Sequence, residues 1–297
     1  MKKKIFTGSG VAIVTPMMGD NAEKVDYDML GKLIDFQIEN KTDAIVICGT
    51  TGEASSMPDD EHLAVIEYAV KKVAGRVPVV AGTGSNDTVH AIKLSKAAEK
   101  LGADALLSVT PYYNKTSQRG LVAHFTAIAN SVNIPIVLYN VPGRTGVNLA
   151  PATIAELAKL DNINAIKECN LLQVPEVKRL CGDNINIYSG EDGQIAFLLG
   201  AGGSGVISVL ANVAPEYTHN LCQAYFDGDA EKCWKMQTDV LPLVNALFSD
   251  VNPIPVKAAV SLMGFECGHV RMPLVDISDA GRAALAKAME DFGIVVK

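Results

Sequence analysis

The chain has 297 residues, with 26 Lys+Arg against 33 Asp+Glu and a formal net charge of −7. That mildly acidic, well-spread charge argues against a nucleic-acid partner, and 48% hydrophobic with 20% charged residues lies far from the disordered regime. No apolar run approaches the roughly 20 residues that span a bilayer, and Gly8, Ser9 and Gly10 interrupt the stretch behind the basic start before it reaches signal-peptide length. A soluble, cytoplasmic protein without membrane contact is expected. Six cysteines stand singly, without a C-x-x-C pair, and read as reduced core thiols.

From the start to about residue 225, short runs rich in Val, Ile and Leu alternate with longer amphipathic stretches, the pattern of βα units. Strands are expected at 11–14, 44–48, 78–81, 103–109, 135–139, 164–167, 186–188 and 205–209. Their continuous apolar character suits parallel strands covered on both faces. Between them Leu30, Leu33, Ile34 and Ile38 recur at helical spacing, as do Leu63, Ile66, Val70 and Val73, then Leu121, Phe125, Ile128 and Val132. Asp26 and Asp60 are candidate N-caps, Pro151 fits a first turn, and Gly102 and Gly182 fall just past helix ends.

Eight such units admit a closed (βα)8 TIM barrel or an open doubly wound sheet. The closed α/β barrel is preferred, because the open dinucleotide-binding sheet needs a G-x-G-x-x-G turn after its first strand, whereas the glycines here precede it. Beyond Asp227 the strand pattern stops, and helices are expected near 230–248, 254–263 and 278–292. The expected organisation is a catalytic barrel over 1–227 with a C-terminal helical annex over 228–297. Trp234, Leu241, Leu243, Leu247 and Phe248 of the annex suit either a cover over the barrel's flank or a subunit contact.

In such a barrel the chemistry sits where the strands end at their C-terminal side. That rule selects Gly49-Thr50-Thr51-Gly52-Glu53, Thr110-Pro111-Tyr112-Tyr113-Asn114, Tyr139 through Arg144, and Lys167-Glu168. No histidine is among them and no cluster has metal-ligand spacing, which disfavours zinc-water chemistry and leaves no metal expected. A lysine at the inner end of a buried strand would be desolvated toward a usable amine nucleophile and form Schiff bases. On position alone, an ordinary solvated loop lysine is the commoner reading of Lys167. If Lys167 points into the barrel, period two places Ala165 inward with it and Ile166 and Glu168 outward; if Tyr139 points inward, so do Val137 and Pro135. A phenol at Tyr139 can relay protons or simply be a core aromatic. The Gly-Thr-Thr-Gly turn suits a small carboxylate or a plain turn, and Arg144 suits a second carboxylate or solvent.

Taken together, these segments resemble the dihydrodipicolinate synthase family, within the N-acetylneuraminate lyase group of class I aldolases. The resemblance rests on Gly-Thr-Thr-Gly-Glu at 49–53, Ala-Gly-Thr-Gly at 81–84, Thr-Pro-Tyr-Tyr-Asn at 110–114, Tyr-Asn-Val-Pro-Gly-Arg-Thr-Gly at 139–146, Ile-Lys-Glu at 166–168, Ser-Gly at 189–190 and Gly-Val-Ile-Ser at 205–208. It implies that Lys167 forms a Schiff base with pyruvate and that the resulting enamine attacks aspartate semialdehyde, with no cofactor. It implies a proton relay of Tyr139, Thr50 and Tyr113, the last from a neighbouring subunit. Thr51 would hold the pyruvate carboxylate, Arg144 that of the aldehyde, and Gly190 and Ile207 would line the pocket. Tyr112 and Tyr113 would lie in a tight dimer interface, two such dimers making a homotetramer. Ala54, Ser55, Asp59, His62, Asn86, His90 and Tyr112 match a cleft where many members bind inhibitory lysine. Here His90 replaces the carboxylate that meets the ligand's ammonium and Asp59 replaces a histidine, so weak or absent inhibition is expected.

Within the same group, a sugar-acid aldolase or lyase is the nearest rival. The substrates of such enzymes present hydroxyls where Arg144 wants a carboxylate. A phosphate-binding isomerase using Gly190, Gly193, Gly202, Gly203 and Gly205 is a rival of another class, and a barrel serving only as a binding protein is a third.

Overall fold

The structure, a computed structural model, describes residues 2–297; Met1, the first residue of the expected 1–227 span, lies outside them. Eight parallel strands close a barrel: Gly8–Ala12, Ala44–Ile47, Val79–Gly82, Ala105–Val109, Ile136–Asn140, Ile163–Glu168, Asn186–Ser189 and Gly205–Ser208. Strand one pairs with strand two on one side and strand eight on the other, and every ladder is parallel. A short antiparallel hairpin, Met17–Met18 with Lys24–Val25, was not expected from the sequence and follows the first strand.

Each strand lies where the apolar runs predicted, with edges moved by a residue or two except at the first. There, the glycines assigned ahead of the strand lie inside it. A Cβ on Gly205 would stand 1.9 Å from the Gly8 carbonyl oxygen, and one on Gly10 would stand 2.8 Å from the Phe6 ring. The barrel therefore closes at strands one and eight only over bare backbone. Phe6 fills the space, its ring stacked 4.3 Å from that of Tyr188, whose hydroxyl donates to the Phe6 carbonyl at 2.7 Å. Pro135, expected inside the fifth strand, precedes it, and a register irregularity between Ile136 and Val137 follows.

Asp26 caps the helix Tyr27–Glu39 by accepting from the Met29 N–H. Asp60 does not cap. It sits in the first turn of Asp59–Val73, whose N-cap is Pro58, where its charge still complements the helix dipole. Past residue 227 four helices replace the three expected: Ala230–Asp239, Leu241–Leu247, Ile254–Leu262 and Asp279–Phe292. The first expected helix divides at Val240, with Pro242 starting the next. Leu243 and Leu247 join the cluster that also holds Val11 and Ile45, while Trp234 and Phe248 remain exposed.

Two buried polar contacts fix the barrel's mouth. On the outer face of strands five and six, Glu168 Oε1 accepts from Asn140 Nδ2 and the Asn170 N–H, both at 2.7 Å, and Oε2 accepts from Gln173 Nε2 at 2.8 Å. Asn140 and Glu168 are register partners immediately after the pair Tyr139 and Lys167. Their outward contact thus holds the inward pair level. Burial pushes the Glu168 carboxyl up to about 7 against those three donors.

The second contact joins the annex to the barrel. Lys257 Nζ meets Glu53 Oε1 at 2.7 Å with both side chains nearly inaccessible, and also donates to the His269 carbonyl at 2.7 Å. Glu53 Oε2 accepts from the Arg271 N–H at 2.8 Å. Glu53 adopts φ 56° at the end of the Gly-Thr-Thr-Gly turn, a conformation that these contacts hold against its steric cost.

Lys257→Met leaves the Glu53 carboxylate buried without its cation and should cost about 3–5 kcal/mol, read as a lowered urea midpoint; an unchanged midpoint would contradict the role given to this pair. For Glu168, the native carboxyl keeps a proton that the unfolded chain releases above its ordinary value of 4.5. Stability should therefore fall by about 3 kcal/mol as pH rises from 4.5 to 7 and stay level above. Glu168→Gln should lack that decline, and parallel pH profiles for the two proteins in urea unfolding would overturn the assignment.

Candidate active site

Lys167 ends the inner face of strand six, only 6% exposed. Ala165, Val137, Tyr139, Tyr188 and Ile207 share the barrel's interior cluster, while Ile166 belongs to the outer one, as the period-two reading requires. Lys167 is flanked in register by Tyr139 on one strand and Tyr188 on the other. Its amine lies 4.4 Å from the centroid of the Tyr139 ring. The Tyr188 hydroxyl is already committed to Phe6, which leaves the floor beneath the amine largely apolar. The solvated-loop reading of Lys167 is thereby excluded.

Burial lowers the Lys167 pKa, opposed by the nearby Cys169, Asp192 and Glu191 and reinforced by Arg144. Burial likewise raises the Tyr139 phenol, with Cys169 adding to the rise, Arg144 opposing it, and a hydrogen bond with Thr50 opposing it least. Both groups are therefore shifted toward their neutral forms, the state in which an amine attacks a carbonyl and a phenol passes a proton. Gly190 leaves the lysine its room: a Cβ there would stand 2.3 Å from Cys169 Sγ and 3.2 Å from Lys167 Cε.

Thr50 and Arg144 are exposed at the rim, and Thr51 is buried. Thr50, Tyr139 and Arg144 line one cavity of about 380 Å³ that runs outward past Tyr112 to Asp59, His62 and His90. The expected catalytic mouth and the expected lysine cleft are one continuous space. Tyr113 does not reach it within the chain: it is 91% exposed, with φ 67°. Tyr112, 37% exposed, does line the cavity, and its carbonyl accepts from Asn86 Nδ2 at 3.2 Å. Asp59 accepts from His90 Nε2 at 2.8 Å and Lys93 Nζ at 2.7 Å, which holds its carboxyl down to about 2.

Sequence reasoning missed several groups here. Glu191 and Asp192 directly follow strand seven, so the strand-end rule would have found them. Asp192 is spent on Ser208 Oγ and the N–H groups of Val209 and Leu210. Cys169, read as a core thiol, is partly exposed beside Lys167, while the other five cysteines are buried and free. Burial pushes the Cys169 thiol up to about 12, far from a reactive thiolate. Asn252 carried no local pattern; it arrives from the annex, donating from Nδ2 to Thr51 Oγ1 at 3.0 Å and accepting at its carbonyl from Arg144 at 3.2 Å.

The phosphate-barrel rival loses three of its five glycines, since only Gly190 and Gly193 follow a strand at the catalytic end. Gly202 and Gly203 form the turn between the helix Ile195–Gly200 and strand eight, and so lie at the barrel end opposite the strand C-termini. A Cβ on Gly203 would stand 2.7 Å from the Leu198 side chain. Gly203 and Gly205 serve close packing, and Gly202 supplies the left-handed turn residue with φ 89°. Among the described residues no group of three or more His, Cys, Asp or Glu is placed to hold a metal ion, and no helix is long and apolar enough to cross a membrane.

Comparison with known proteins bears on the chain as a whole. The model of the dihydrodipicolinate synthetase family matches residues 5–292. A 4-hydroxy-tetrahydrodipicolinate synthase from Acetivibrio thermocellus is 56% identical over 295 residues, 99% of this chain and 100% of that protein. Dihydrodipicolinate synthase from Cyanidioschyzon merolae, solved with lysine bound, superposes with a TM-score of 0.95 at 38% identity, covering 99% of this chain and 100% of that one. A monomeric variant of dihydrodipicolinate synthase gives 0.95 at 42% identity, with 98% of each chain covered. With a closed barrel, a desolvated lysine beside a phenol at its mouth, and a family match over nearly its whole length, this chain belongs to the dihydrodipicolinate synthetase family.

Proposed function

We propose that the chain condenses pyruvate with L-aspartate 4-semialdehyde to give 4-hydroxy-tetrahydrodipicolinate, the first committed step toward diaminopimelate and lysine. The observation that carries this reading is the buried Lys167 amine against the Tyr139 ring, in a chain 56% identical to a protein named for that reaction. Lys167 Nζ adds to the pyruvate keto carbon, and loss of water gives the imine. A methyl proton leaves to form the enamine, whose carbon attacks the aldehyde. The substrate's own amine then displaces the lysine and closes the ring. Tyr139 and Thr50 pass protons at these steps, with Tyr113 supplied by a neighbouring subunit; its exposure in the single chain supports that assignment.

Thr51 and the adjacent turn receive the pyruvate carboxylate, Arg144 receives that of the aldehyde, and Gly190 and Ile207 shape the space around the amine. Residues 1–227 form the catalytic barrel, and 228–297 the helical region that completes its rim through Asn252 and Lys257. The working assembly is a homotetramer of two tight dimers, supported by exposed aromatic surface at Tyr112, Tyr113 and Trp234. The reaction takes place in the cytoplasm.

Steady-state assays with pyruvate and either L-aspartate semialdehyde or the sugar-acid substrates of the related lyases test the reading. Turnover is expected with the first alone and should be lost by at least about 10³-fold in Lys167→Ala, as removal of an activated nucleophile requires. Comparable turnover with sugar acids would move the rival forward. Lysine should inhibit weakly, because Asp59 is already engaged by His90 and Lys93 and offers no free carboxylate to the ligand's ammonium. Half-inhibition at submillimolar lysine would refute that expectation.

A further inference from the structure

The basic start of the chain is built into the lower mouth of the barrel, at the end opposite the chemistry. Lys2 Nζ donates to the carbonyls of Ala158, Leu160 and Ile163 at 2.7, 2.6 and 2.7 Å, which engages every donor an ammonium has. The Lys3 carbonyl accepts from Asn164 Nδ2 at 3.0 Å, and Asn164 Oδ1 accepts from Asn186 Nδ2 at 3.1 Å. Both asparagines are buried. With residues 2 and 3 fixed at the lower edge, Phe6 lies inside. Its ring stacks on Tyr188, whose hydroxyl donates to the Phe6 carbonyl at 2.7 Å and accepts from the Phe6 N–H at 3.3 Å.

That ring occupies space nothing else on the inner face is large enough to fill. The lower parts of strands one, two and four present Gly10, Ala44 and Ala105 around it. Tyr188, against which it stacks, is the register partner of Lys167, and Asn186 is that of Ala165, one inward position lower. We propose that residues 2–6 form a plug in the lower mouth of the barrel, and that Phe6 is a positioning residue that acts through Tyr188 to keep water from reaching the Lys167 amine from beneath. The assignment rests on Lys167 being the nucleophile of the condensation described above, and supplies the reason the amine stays dry on its closed side.

Water beneath the amine would restore the hydration of the ammonium and so favour the protonated form. The other groups around Lys167 are Tyr139, Cys169, Glu191, Asp192 and Arg144. They stand level with the amine or past the strand ends above it. A substitution at residue 6 therefore changes hydration below the amine and leaves the charges above it in place.

The test is the pH profile of borohydride trapping with pyruvate at Lys167, with kcat for the condensation, in wild type, Phe6→Ser, Phe6→Leu and Leu285→Ala. An apolar void stays dry, whereas a void with polar lining holds water. Phe6→Ser should accordingly move the trapping profile up by about one pH unit and lower the rate near neutral pH about tenfold, with wild-type efficiency regained at high pH. Phe6→Leu should keep the wild-type profile. Leu285→Ala, at a buried position of the helix Asp279–Phe292, should lower the urea midpoint without moving the profile. An unmoved profile in Phe6→Ser, or one that moves as far in Leu285→Ala, would overturn the plug. Should Phe6→Ser fail to fold, Tyr188→Phe takes its place, since it frees the Phe6 N–H and carbonyl for water; an upward shift then supports the assignment and no shift overturns it. Wild-type protein that traps pyruvate at Lys167 but consumes no L-aspartate semialdehyde refutes the condensation reading itself, an outcome distinct from these.

Discussion

Burying a lysine amine inside a barrel is the constraint around which this molecule is built. An ammonium pays heavily for leaving water, so the protein answers by shifting Lys167 toward its neutral form. The surroundings make that possible. Tyr139 and Tyr188 flank the amine in register, the Tyr188 hydroxyl is tied down to Phe6, and Gly190 takes no space that the lysine needs. Of the acidic groups around it, Asp192 is held by Ser208 and two backbone N–H groups, Glu168 is held on the far side of the strand by Asn140, Asn170 and Gln173, and burial shifts the Glu191 carboxyl toward its neutral form. A fully ionised, unoccupied carboxylate pointed at Lys167 would undo the desolvation by favouring the ammonium.

The same constraint explains why the helices past residue 227 are more than a cover. The turn at Gly49–Glu53 has to present Thr50 and Thr51 at the mouth, and it ends in a left-handed glutamate. Lys257 holds that glutamate, and Asn252, a few residues earlier, holds both Thr51 and Arg144. The annex thereby sets the distance between Thr51 and Arg144, the two residues proposed to bind carboxylates, while the barrel sets the lysine and the phenol. A rim built by one part and a floor built by the other let the binding of the second substrate vary without disturbing the amine.

Much of this was legible in the chain. Strand order and the closed barrel follow from local apolar runs, and the strand-end rule singles out Lys167 and Tyr139; their inward orientation was one of two open readings until the family resemblance favoured it. The first strand was misplaced because glycines read as loop; their reason for being in a strand is a backbone approach from residue 205, which no window around residue 8 contains. Glu53 with Lys257, and Thr51 with Asn252, are partners some two hundred positions apart, so periodicity gives no hint of them. Glu191 and Asp192 were within reach of the strand-end rule. Tyr113 is a different case: its exposure fits a contact with another chain, and the residues on the other side of that contact lie outside any window of this sequence.

The central claim is that Lys167 is the nucleophile and that burial makes it one. The most direct measurement is borohydride trapping with pyruvate across a pH series, read by intact mass and by mapping the modified peptide. A single adduct on Lys167, forming efficiently well below the ordinary lysine value of 10.5, is the predicted result. No adduct in folded protein, an adduct spread over surface lysines, or a pH profile like that of a solvated lysine would contradict the account.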